Sequence, residues 1–197
     1  MKRKQARRRR FLALGTIAVL LGVFAGALVA SGTFDEALQE LTLPLRHEDV
    51  IRQQSEEKGV DAALIAAVIY SESKFKDQTS SAGARGLMQI TPEAAEFIEK
   101  QSGGTTFELS DLGDPELNIR YGTFLLRELL ERYDGDEAAA LAAYNAGPGN
   151  ADKWGGSELT VEEIPFPETR AYVEEVLEKK EEYRREYSGE LGYARFP

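Results

Sequence analysis

The sequence predicts an all-α domain preceded by one N-terminal transmembrane helix. Three observations carry this expectation. Residues 11–30 are twenty uncharged residues directly behind a basic segment. From Glu48 onward helix start and stop signals recur, and no alternating strand pattern interrupts them. The composition, 42% hydrophobic and 29% charged over 197 residues, suits one folded domain with appendages and excludes wholesale disorder.

Lys2, Arg3, Lys4, Arg7, Arg8, Arg9 and Arg10 stand before the apolar run FLALGTIAVLLGVFAGALVA. A helix of that length spans roughly 30 Å, the hydrocarbon thickness of a bilayer. The basic flank, residues 1–10, stays in the cytoplasm, and the rest of the chain lies outside. A cleaved signal peptide is the alternative, with Ala25-Gly26-Ala27 as its cleavage site. The apolar cores of such peptides run about 7–15 residues, so the longer run here favours a retained anchor. Both alternatives export the body. Residues 31–47, which include Pro44, then read as a tether. Fully extended it reaches about 55 Å.

The helices follow in order. Residues 48–58 end at Gly59, and Asp61 caps AALIAAVIYSES. Thr91-Pro92 opens a helix to about Lys100, and Asp114-Pro115 opens NIRYGTFLLRELLERY by the same signal. Asp136 starts EAAALAAYNA, which stops at Gly147-Pro148-Gly149. Glu168 begins a terminal helix to about Tyr187, whose pairs Glu175–Lys179 and Glu181–Arg185 suit a solvated face. Segments 77–90, 101–113 and 147–167 remain as loops. The folded domain thus covers 48–188, with a tail at 189–197.

Several function classes fall away. No cysteine means no disulfide scaffold, thiol nucleophile or thiolate metal site. A single histidine, His47, excludes multi-histidine metal sites and leaves little room for a Ser-His-Asp triad. No metal and no cofactor is expected. Residues 31–197 hold 17 basic and 34 acidic side chains, a net charge of −17 that opposes phosphate backbones. Nucleic acid is therefore not an expected partner.

Glu72 is the first candidate for chemistry. Ile65, Val68 and Glu72 are spaced i, i+3, i+7, which puts a carboxylate on the apolar stripe of its helix. Desolvation and the negative end of the helix dipole both raise its pKa, as a general acid requires. A buried glutamate satisfied by an arginine or a backbone donor has the same spacing. The neighbouring blocks decide between them. Glu72-Ser73 is followed by Ser81-Ala82-Gly83-Ala84-Arg85-Gly86-Leu87-Met88-Gln89-Ile90, then by Ala143-Tyr144-Asn145-Ala146-Gly147, then by Glu168-Thr169-Arg170-Ala171-Tyr172. Together, from about Val50 to Tyr183, they resemble the soluble lytic transglycosylase domain family, whose fold is lysozyme-like (goose type).

That resemblance implies a bacterial-envelope enzyme acting on peptidoglycan, with the membrane as its other partner. It assigns Glu72 as the catalytic acid/base and places Ser81 near the carboxylate. Tyr144 would help hold the carboxyl, while Met88, Gln89, Asn145 and Tyr172 would face the sugar cleft. Two-carboxylate glycosidases need a second acid about 5–9.5 Å away, and in the roughly fifteen residues after Glu72 only Asp77 offers itself. A single acid/base fits a non-hydrolytic cleavage of the MurNAc–GlcNAc β-1,4 bond that ends in a 1,6-anhydro ring. Two alternatives stay open: a hydrolytic muramidase of the same fold, and a peptidoglycan-binding envelope protein that does not cleave.

Overall fold

The computed structural model describes residues 33–102 and 108–193, which fall in two units divided between Pro44 and Leu45. In the first unit, α1 runs Thr33–Thr42. The segment expected to be an extended tether thus contains ten helical residues, which rise about 1.5 Å each rather than 3.3 Å and shorten its reach. The membrane segment expected at 11–30 lies outside the described residues. Among the described residues, no helix is long and apolar enough to cross a membrane.

The second unit holds α2 (Glu48–Lys58), α3 (Ala62–Ser73), α4 (Pro92–Ser102), α5 (Pro115–Arg132), α6 (Glu137–Ala146), α7 (Pro148–Trp154) and α8 (Pro167–Glu186). The predicted caps form. Asp61 accepts from the amides of Ala63 and Leu64, Asp114 from Leu117, and Asp136 from Ala139. The Thr91 hydroxyl accepts from Ala94. Helix α3 is the centre of the unit, and every residue from Ala62 to Ile69 is buried. A helix apolar on all sides must be covered on all sides. The long α8 covers it most extensively, through Val173, Val176 and Tyr183. Helix α6, buried from Ala139 to Ala143, packs against α5, α7 and α8.

Segment 147–167, expected to be a loop, is largely helical. It contains α7 and two 3₁₀ turns, Gly156–Glu158 and Val161–Glu163. The Gly147-Pro148-Gly149 punctuation ends one helix and starts the next. Gly147 takes φ 86°, and Pro148, whose ring fixes φ, occupies the first turn. Asp152 then fastens α7 to α5 through Arg132 at 2.6 Å and the Tyr133 hydroxyl at 2.9 Å.

Residues 189–193 are fastened too. The Tyr193 hydroxyl donates to the Asp61 carboxylate and accepts the Ala63 N–H at 2.9 Å. Arg184 pairs with the same carboxylate, Arg52 donates to the Glu190 carbonyl, and Leu191 is buried. Tyr193→Phe, which loses a hydrogen bond to a charged acceptor, is expected to destabilise the domain by about 2 kcal/mol, measured by urea denaturation.

Candidate active site

Helix α3 ends at the site because the chain leaves the helical region there. Lys74 and Phe75 take φ of 52° and 59°, and the buried Ser73 hydroxyl turns back to the Ile69 carbonyl at 3.1 Å. Glu72 therefore stands in the last turn. The following segment folds over on itself through isolated bridges, Thr79 with Arg85 and Arg85 with Ile90. Its inner hydrogen bonds converge on the helix end. The Gln78 amide donates to the Glu72 main-chain carbonyl at 3.1 Å. The Gln78 carbonyl in turn accepts from the Gly86 N–H at 2.9 Å and from Gln89 Nε2 at 3.1 Å. Gln89, at φ 48°, also donates through Nε2 to the Gly86 carbonyl at 2.8 Å.

Helix α5 contributes Asn118, fully buried beneath this segment. Its Oδ1 accepts the Met88 N–H at 2.8 Å, and its Nδ2 donates to the carbonyls of Arg85 at 2.9 Å and Leu112 at 3.0 Å. Two glycines make the approach possible. A Cβ on Gly86 would lie 2.1 Å from Asn118 Nδ2, and one on Gly122 would lie 2.3 Å from Met88 Sδ. The Met88 carbonyl accepts the Tyr144 hydroxyl of α6 at 2.9 Å. From α8, Thr169 donates to Asn145 Oδ1 at 2.8 Å, and Tyr172 comes in beside Glu72.

The electrostatics follow from enclosure. Glu72 keeps some exposed surface, but its carboxyl is largely shut away from water, which pushes its pKa up to about 7. Tyr172 opposes that rise as a donor. Its enclosed hydroxyl completes no hydrogen bond of regular geometry, yet it lies close enough to the carboxylate to pull the value back. Burial first, and the Glu72 charge second, hold Tyr144 and Tyr172 well above the usual phenol range. Among the described residues, no second carboxylate contributes to the Glu72 shift. Nor does any group of three or more potential ligands gather to hold a metal ion.

Glu72, Tyr144 and Tyr172 are thus brought together. Gln89 and Asn145 serve the loop and α8 with one end of each amide. Among the described residues no partner takes the other ends, an acceptor at Gln89 Oε1 and donors at Asn145 Nδ2. One expectation needs correction, and another gains no contact. The Met88 side chain is fully buried against Gly122, so it is core, and only its main chain serves the site. Ser81 is exposed and forms no hydrogen bond to Glu72 among the described residues; the turn is closed by Ser80, whose N–H donates to the Ala84 carbonyl at 2.8 Å. Asn118 and Gln78 were missed. Asn118 stands thirty positions from the Met88 N–H it binds, and Gln78 is an exposed loop residue. A cavity of about 710 Å³ adjoins the site between α4, α5 and α6, with Phe97, Leu125, Glu128, Tyr144 and Asn145 in its wall. Glu72 itself is outside that wall.

The family model of the transglycosylase SLT domain matches residues 49–166. The soluble lytic murein transglycosylase of Escherichia coli K12 is 34% identical over 154 residues, covering 74% of this chain and 24% of that protein. The membrane-bound lytic murein transglycosylase C of Edwardsiella ictaluri is 31% identical, over 71% of this chain and 47% of that protein. Among solved structures, the 70-kDa soluble lytic transglycosylase of E. coli matches with a TM-score of 0.72 and 31% identity, over 86% of this chain and 29% of that one. The chain spans about a quarter of the length of the soluble relatives it matches. Fold, motif order and sequence agree, and the chain belongs to the transglycosylase SLT domain family.

Proposed function

We propose that this protein is a membrane-anchored lytic transglycosylase that cleaves the MurNAc–GlcNAc bond of peptidoglycan and leaves 1,6-anhydro ends. The observation that carries the proposal is the enclosed carboxyl of Glu72, with a pKa of about 7, beside two tyrosines and with no second carboxylate acting on it among the described residues. A carboxyl of that pKa is protonated often enough near neutrality to donate to the glycosidic oxygen, and basic enough afterwards to take a proton back. In the first step the bond from the sugar carbon to the leaving oxygen breaks as Glu72 protonates that oxygen, and the substrate's own N-acetyl group stabilises the developing cation. In the second, the Glu72 carboxylate removes the proton of the muramyl C6 hydroxyl, whose oxygen closes the anhydro ring. Glu72 is restored and no water is consumed. The attacking hydroxyl is already tethered to the reacting carbon, which supplies the proximity that a free water lacks. Tyr172, whose hydroxyl proton is not spent elsewhere among the described residues, would donate to the carboxylate, while Tyr144, whose proton goes to the Met88 carbonyl, could only accept from the protonated acid. Gln89 Oε1 and Asn145 Nδ2 would meet sugar polar groups, and the adjoining cavity would take more of the strand.

A timed digest in heavy-oxygen water tests the chemistry. Unlabelled anhydro ends are expected; heavy oxygen at new reducing ends would make the enzyme a hydrolase. The rate should also fall as pH rises through about 7, because the first step needs Glu72 protonated. Initial rates between pH 5 and 9 check this, and a flat profile across that range would count against Glu72 as the acid. Anchoring is tested by protease treatment of spheroplasts, which should digest the body and spare the N-terminus.

A further inference from the structure

We propose that Asn118 and Gln78, neither of which touches the Glu72 carboxyl, are positioning residues that set Tyr144 and the end of α3 against each other. The 78–89 segment bridges the two. At one end, the Gln78 amide holds the Glu72 main-chain carbonyl at 3.1 Å. At the other, the Met88 carbonyl receives the Tyr144 hydroxyl at 2.9 Å. A loop can locate a hydroxyl only as well as the loop itself is located, and this one is pinned from below.

Asn118 is the pin. All three of its bonds go to main-chain atoms: the Met88 amide, whose own residue supplies the acceptor for Tyr144, and the Arg85 and Leu112 carbonyls. The amide's hydrogen-bonding capacity is nearly spent on the loop, and the side chain is fully buried. The tight seat matters as much as the bonds. Gly86 and Gly122 have no room for a Cβ, so the loop rests directly on α5 and cannot slide along it. Gln78 closes the bridge from the other side. Its carbonyl gathers Gly86 and Gln89 while its side chain gathers Glu72, which makes one continuous network from Asn118 to the catalytic helix.

The inference rests on Glu72 being the acid, and it predicts a particular failure. Releasing either residue should leave substrate binding nearly intact and spoil the enclosure and alignment of the carboxyl. Groups facing Glu72 come from two other helices: Tyr144 from α6, and Tyr172 from α8 with the Glu175–Lys74 pair behind it. Both tyrosines remain in the variants, so what changes is their placement and the entry of water.

The test uses Asn118→Ala and Gln78→Ala in the full chain, with two readouts. Titration of Glu72, followed by carbon NMR of carboxyl-labelled protein, needs no substrate. Its midpoint is expected to drop by about half a unit or more as water reaches the carboxyl. In the cleavage assay, kcat is expected to fall about tenfold for Asn118→Ala and about threefold for Gln78→Ala, with KM within about twofold. A double-mutant cycle separates positioning from general loosening. In a Tyr144→Phe background, Asn118→Ala should cost less than about twofold further, since its effect passes through that hydroxyl. An unmoved titration, a loss carried by KM, or full additivity with Tyr144→Phe would each overturn the proposal. Gln78 is exposed and its replacement spares the core, so it carries the test if Asn118→Ala does not fold. A wild-type protein that cleaves nothing would count against the proposed function alone, because the titration would still read the positioning.

Discussion

Glu72→Gln is expected to abolish cleavage, a loss of about 10²–10⁴-fold or more, and to leave a folded protein that still binds glycan strands. The amide has nearly the shape of the carboxyl but no proton to give. The same substitution should stabilise the domain, and the sign follows from the shift. The folded carboxyl titrates at about 7 against 4.5 in its ordinary state. Below about pH 4.5 both states are protonated, so wild type and variant should be equally stable. Between 4.5 and 7 the unfolded chain ionises while the folded one resists, so wild-type stability drains away as pH rises. Glutamine does not titrate and loses nothing. The gap should reach at most about 3 kcal/mol above pH 7, less where water screens the carboxyl. Urea denaturation at pH 4.5 and pH 8 measures it; equal stability at both values would show that Glu72 is not enclosed. Retained activity within tenfold of wild type would show that another acid carries the reaction.

Gly86→Ala should be the most damaging of the small substitutions. The position takes φ 77°, and the new Cβ would lie 2.1 Å from Asn118 Nδ2 and 2.5 Å from the Leu112 carbonyl oxygen. The second neighbour is main chain and cannot swing aside. Backbone strain of about 1–2 kcal/mol adds to an overpacking cost of about 1–3, enough to lower the melting temperature by about 10 °C. Gly83→Ala is the control. Its φ of 84° imposes the same strain, but nothing lies within 4 Å of the added Cβ. It should cost only the backbone portion. If the two variants melt together, the contact with Asn118 is not what requires a glycine at 86.

The contrast between these glycines shows what sequence reading reaches and what escapes it. Both stand in the same motif block, and nothing in the sequence separates them. Only the packed structure shows that one faces open space and the other faces Asn118. Local signals were legible: Asp61, Asp114 and Asp136 cap helices because capping is a matter of three or four neighbouring residues. Glu72 was legible through the motif blocks around it, since its spacing alone suits a satisfied buried glutamate as well and its helix is buried on every side from Ala62 to Ile69. What stayed hidden is long-range. Asn118 had no local sign of its role, Met88 read as a cleft residue because its neighbours are, and Gly147-Pro148-Gly149 read as a loop although proline is at home in the first helical turn. The resemblance joined Tyr144 to Glu72 but gave Tyr172 only as a cleft residue, and the place of Tyr172 beside the carboxyl comes from the packing of α8.

The docking of residues 189–193 bears on how this domain is used as a building block. Arg52, near the start of the second unit, holds the Glu190 carbonyl, and Tyr193 closes on the first turn of α3. The first and last described residues of the unit therefore lie close together. A module whose two ends meet can be joined to other segments, or spliced into a surface loop of a host, with little strain on its interior. For the engineer, the practical graft runs through Tyr193; a cut at residue 188 would discard the clasp along with the tail.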